Sequence, residues 1–119
     1  MEKFIKLFSA FSDETRLRIY LLLSRRELCV CELANILRME QSRISHSLKI
    51  LKESGLIRQE RKGRWIIYST DAKMDESRII QGLKNEARLS NTDLRNFTKC
   101  KKEKTREKHM KLEDDERAL

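Results

Sequence analysis

The stretch QSRISHSLKILKESGLIRQERKGRWIIYST, residues 41 to 70, changes its hydrophobic period at Gly55, and that change limits the possible folds more than any other feature of the chain. Up to Gly55, Ile44, Leu48 and Leu51 recur at the three- and four-residue spacing of one helix face. Gly55 stands where such a helix stops on a left-handed residue. Beyond it, two β-rich runs flank Lys62-Gly63, which is the pattern of a hairpin. Just upstream, Val30, Leu33, Ala34 and Leu37 form another apolar face, joined to the first by the short linker Arg38-Met39-Glu40. Two helices across a short turn give the helix-turn-helix outline, and a hairpin directly after the second is a wing. The expected fold is mainly α with a small β-hairpin wing: a winged helix-turn-helix.

The remaining elements read as helices around this unit. Phe4, Leu7, Phe8 and Phe11 give a first amphipathic helix. Ser12 is expected to cap a second, with Asp13 and Glu14 in its first turn, where negative charge suits the helix dipole. Leu17 to Leu23 is apolar nearly all round, the mark of a buried central helix. From Asp75 onward, Ile79, Ile80, Leu83 and Ala87 predict a fifth. A chain of 119 residues with 39% apolar content has only a small core. The stripes on the first and last helices therefore predict a homodimer contact through Phe4, Leu7, Phe8, Ile80, Leu83 and Ala87. The expected division is a domain over residues 1–90 and a charged, flexible tail over 91–119 that carries Cys100.

Charge and hydropathy narrow the partners. A net charge of +8 points to a polyanion. The longest apolar run, Ile19 to Leu23, falls far short of the roughly 20 residues that cross a bilayer, so a cytoplasmic location and no membrane partner are expected. With Ile44 turned inward, Ser42, Ser45, His46 and Lys49 lie on the opposite arc of their helix. Gln41 at the helix start can pair with adenine, and Arg43 adds a cation beside it. Arg58, Arg61, Lys62 and Arg64 concentrate positive charge on the wing, suited to phosphates or the minor groove. Double-stranded DNA is the expected partner. No nucleophile–base pair, carboxylate pair or phosphate-cradling glycine loop marks the chain as an enzyme.

The cysteines of ELCVCEL, residues 27 to 33, leave three readings open: core packing, a redox pair or a metal site. On a regular helix Cys29 and Cys31 would stand about 200° apart and could not share one ion. They can chelate only where the chain is not fully helical, as at a helix N-terminus, and an all-sulfur shell would select a soft ion. A redox switch would draw on Cys100 as well, because a bond within the pair closes a strained ring.

The segments ELCVCELANIL, QSRISHSLKILKESGLI and RKGRWIIYS, in this order and spacing, resemble the arsenical-repressor (ArsR/SmtB-type) family of winged-helix metal-sensing transcription factors. The resemblance spans about residues 4 to 90. It implies a homodimer joined by its first and last helices, bound to operator DNA and released by an effector, with no constitutive cofactor. In the arsenic branch the effector is As(III) or Sb(III) on thiolates, and Cys29 and Cys31 match the first two ligands. Where related members often carry a third cysteine this chain has Ala34, so a third thiolate would come from Cys100, the partner chain or a small-molecule thiol. The reading helix has Ser45, His46, Ser47 and Leu48 where the family usually has Ser-Arg-His-Leu. Zinc and nickel sensors of the family use histidines on the last helix, and residues 75–90 contain none. Cadmium and lead sensors add cysteines upstream of the pair, and residues 1–28 contain none. The alternatives are a thiol-redox-responsive or Cd/Pb-responsive repressor of the same fold.

Overall fold

The structure, a computed structural model, describes residues 1–100. Helix α1 (Glu2–Phe11) is followed, after the two-residue turn Ser12-Asp13, by α2 (Glu14–Leu23). Asp13 is the cap of α2, its carboxylate accepting the Arg16 amide at 3.0 Å. Ser12, expected in that role, instead closes α1, its hydroxyl donating to the Ser9 carbonyl. The shift by one residue puts the stronger, charged acceptor at the positive end of the helix dipole. As its composition predicts, α2 runs through the centre, with Ile19, Tyr20 and Leu22 fully buried.

A two-residue strand β1 (Leu28–Cys29) leads into α3 (Val30–Leu37), and α4 (Gln41–Glu53) follows after Arg38, Met39 and Glu40. Arg38 turns the chain with a left-handed φ of 56°. Gly55 has the positive φ, 76°, that its place after α4 requires. Strands β2 (Ile57–Lys62) and β3 (Trp65–Thr70) then form the hairpin, turning at Gly63 with φ 63°. The sheet has the antiparallel order β1-β3-β2, so the wing has a third strand that the hairpin pattern alone did not predict.

Behind the wing, the short α5 (Ala72–Asp75) precedes α6 (Arg78–Glu86), which is the expected fifth helix and is capped by Ser77. The expected charged tail starts with ordered structure: residues 91–99 form α7 (Asn91–Lys99). Its Asp93 carboxylate, 2% exposed, takes both Nε and a terminal nitrogen of Arg18 at 2.8 Å. Asn96 donates to the Ile36 carbonyl at the end of α3, and the Arg26 guanidinium lies 4.1 Å over the Phe97 ring. Residues 101–119 lie outside the described residues.

The stripes assigned to a dimer contact divide in two. Leu7 and Ile80 are buried within the chain at 3% and 0% exposure, and Leu83 and Ala87 are half-buried. Phe4, Ile5 and Phe8 on α1 and Ile79 on α6 face solvent. Among the described residues no helix is long and apolar enough to cross a membrane.

Candidate functional site

The N-terminus of α3 is built by a change of backbone conformation within three residues. Cys29 ends β1 and is the N-cap of α3, with φ −93° and ψ 170°, while Cys31 lies in the first helical turn. Because Cys29 is extended, the 200° rule of a regular helix does not apply, and the two sulfurs come within 2.8 Å. A capping box holds the arrangement: the Cys29 amide donates to the Glu32 carboxylate at 3.0 Å, and the Cys29 sulfur accepts the Glu32 amide. Both cysteines and Glu32 are buried.

Burial and hydrogen bonding set the two thiols apart. The Cys31 S–H and the Glu32 amide, both directed at the Cys29 sulfur, hold the Cys29 thiol below its ordinary range, against the opposing effect of burial. Cys31, the donor, is pushed well above the thiol range by its bond to Cys29 and by burial. The pair thus favours a single shared negative charge on Cys29. Two adjacent soft sulfurs favour a thiophilic ion over a hard one.

Cys100 ends α7 and is also buried, its carbonyl accepting from Arg26 and its sulfur 3.9 Å from Nδ2 of Asn35 on α3. The flexible tail expected to carry it is not seen before Cys100. Residues 91–99 are helical instead, and Cys100 is fixed against its own chain's α3. Among the described residues no three His, Cys, Asp or Glu side chains gather as a ready-made ion site. The structure therefore brings Cys29 and Cys31 together but does not join Cys100 to them.

The basic face is assembled from two elements. Gln41, Ser42, Ser45, His46 and Lys49 are all exposed on α4, while Ile44, Ser47 and Leu48 turn inward. Arg43 is exposed too, but one guanidinium nitrogen donates to the Thr15 hydroxyl at 3.1 Å, tying α4 to α2. Arg58, Arg61, Lys62 and Arg64 are exposed on the wing. The Arg61 Nε donates to the Gly63 carbonyl, and Lys62 pairs with Glu27 at 3.0 Å.

Three participants escaped the sequence reading. Glu32 had a readable signal, the spacing of a capping box with cysteine in the serine position. Trp65 and Ile67, two apart on one face of β3, pack against Cys29 and Cys31 in a small cluster of their own. Only the pairing of β1 with β3 reveals that contact.

The family model described as bacterial regulatory protein, arsR family, matches residues 13–59, from the cap of α2 into β2. An arsenical resistance operon repressor of Escherichia coli is 49% identical over 65 residues, 54% of this chain and 56% of that protein. A cadmium resistance transcriptional regulatory protein CadC homolog of Staphylococcus aureus is 42% identical over 67 residues, 56% of this chain and 55% of that protein. In these two alignments the chain spans about half the length of its relatives. An arsenical resistance operon repressor of Bacillus subtilis matches more fully, 39% identical over 87 residues, 72% of this chain and 78% of that protein. The solution structure of the homodimeric winged helix-turn-helix DNA-binding domain Mb0332 of Mycobacterium bovis, a possible ArsR-family regulator, superposes with a TM-score of 0.64 at 25% identity. That match covers 71% of this chain and 77% of the other. With the family model lying over the helix-turn-helix and a repressor aligned along most of both chains, the chain belongs to the ArsR family of bacterial regulatory proteins.

Proposed function

We propose that the protein is a cytoplasmic, homodimeric transcriptional repressor, not an enzyme, that binds operator DNA through α4 and the wing and is released when As(III) or Sb(III) binds Cys29 and Cys31. The observation that carries this reading is the 2.8 Å approach of two buried sulfurs at the N-terminus of α3, which packs directly on α4. The effector is a ligand of the thiol pair, and the chain supplies the soft donors and their order of ionisation. Cys29 offers the first thiolate and Cys31 the second; Cys100 is held apart from them beside Asn35 of α3, so a third donor comes from the partner chain, a small-molecule thiol, or Cys100 after it moves. Ser42, Ser45, His46 and Lys49 face the groove, with Gln41 and Arg43 at the helix start, while Arg61, Lys62 and Arg64 contact the backbone. Moving the start of α3 disturbs the seat of α4 and weakens the fit to DNA.

A gel shift on the operator with arsenite, antimonite, cadmium, zinc and peroxide separates this reading from its alternatives. Cys29→Ser and Cys31→Ser are expected to bind operator like the wild type, since neither residue lies on the DNA-facing side, and to ignore arsenite. Wild-type release is expected as a roughly 5- to 150-fold loss of operator affinity, the usual span of allosteric coupling. Release by cadmium alone moves the effector to the cadmium and lead class, and release by peroxide alone makes the pair a redox switch. If both variants dissociate at the wild-type arsenite concentration, the thiol pair is core packing.

A further inference from the structure

We propose that the wing is part of the effector-response machinery: Trp65 and Ile67 form the wall of the thiol pair, and ion entry is transmitted through β1 to the wing as well as through α3 to α4. This inference rests on the metalloid reading above and adds a second route from the same site to the DNA.

Three links of different kinds join the thiol pair to the wing. The first is covalent and hydrogen-bonded: Cys29 belongs to β1, which pairs antiparallel with β3 in the register Leu28↔Tyr68 and Cys29↔Ile67. Since β3 is the central strand, any displacement of Cys29 acts on the strand that carries the whole hairpin. The second link is packing. Cys29, Cys31 and Ile67, covered by the half-buried Trp65, make an apolar cluster separate from the main core, so the wing itself walls the pair. The third is the ion pair between Lys62 Nζ and both carboxylate oxygens of Glu27, at 3.0 and 3.2 Å. It ties the wing tip to the residue just before β1.

This arrangement leaves little slack. Metal–sulfur bonds of about 2.3 Å meeting at a right angle or wider hold their sulfurs about 3.3 Å apart or more. The thiols stand at 2.8 Å, so an ion must separate them. Cys31 is fixed in the first turn of α3 and Cys29 in the β-ladder. If α3 moves, α4 is disturbed; if Cys29 moves, β3 moves with it. Arg61, Lys62 and Arg64 ride on that hairpin, so occupancy alters the spacing between the basic wing and α4, which must both fit one stretch of duplex.

Trp65 is the chain's single tryptophan, and its emission therefore reports on this wall. Full-length protein without DNA is titrated with arsenite while thiolate–arsenic absorption and Trp65 emission are followed together. Emission is expected to change and saturate with the absorption, and to stay constant in Cys29→Ser. A second measurement uses Glu27→Gln, which breaks the wing-tip tether without touching a thiol; because it also frees Lys62, a proposed backbone contact, the release is read as the ratio of operator affinities with and without arsenite within the variant. Its arsenite absorption should match the wild type, while the arsenite-induced loss of operator affinity falls by about 2- to 5-fold, the scale of a partly exposed ion pair. Absorption with silent Trp65 emission, or a wild-type release ratio in Glu27→Gln, overturns the wing route and leaves the metalloid reading standing. Absence of the absorption overturns both.

Discussion

At the start of α3 two neighbouring sulfurs differ in how readily they ionise. Cys29 accepts from the Cys31 thiol and from the Glu32 amide, so its thiolate is favoured, while Cys31 is held protonated. The two act oppositely on folding. The lowered Cys29 value contributes stability above it, and this is lost as pH falls through it. The raised Cys31 value contributes stability that is full below the unfolded thiol range of about 8.5 and is lost as pH rises beyond it. Cys31→Ala removes the S–H donor, so Cys29 should titrate at higher pH than in the wild type, as followed by thiolate ultraviolet absorption. An unmoved Cys29 titration would show that the Glu32 amide alone sets its charge. The sequence made the pair legible as a candidate, because two thiols one residue apart can share a soft ion wherever the chain between them is not fully helical. What it withheld was their order of ionisation, which depends on Cys29 being extended and Cys31 helical.

Among the elements, α7 departs most from expectation, and its anchors explain why it is ordered. Asp93 is buried against Arg18, Asn96 caps the end of α3, and Arg26 covers Phe97. Asp93→Ala leaves the Arg18 guanidinium without its hydrogen-bonded carboxylate, with only the more distant charge of Glu14 acting on it. Because Arg18 keeps 26% of its side chain in water, the expected loss is about 2–3 kcal/mol of unfolding free energy, below the full cost of breaking a buried pair. Urea denaturation measures it, and a loss under about 0.5 kcal/mol would mean that α7 is not held by this contact. The helix was hidden in the sequence because its anchors are polar and its partners lie far upstream, so a charged composition read as solvated tail. By contrast, α4 and the hairpin were legible because Ile44, Leu48 and Leu51 set one period and Gly55 ends it. Strand β1 was not, since two residues carry no period and its partner β3 lies about forty positions away.

For the whole molecule, the exposed Phe4, Ile5, Phe8 and Ile79 form the apolar surface that the proposed homodimer would cover. Phe8→Glu is expected to shift sedimentation to the monomer with helical content kept, and to weaken operator binding because two half-sites are no longer read together. A variant that remains dimeric would place the contact elsewhere. Association through helices requires that the sheet not recruit other chains, and the outer strand meets that condition. Strand β2 runs Ile57-Arg58-Gln59-Glu60-Arg61-Lys62, with every residue after Ile57 exposed. Charged side chains along an open edge oppose the addition of another strand, so the face proposed to contact nucleic acid also protects the protein against polymerising into sheets.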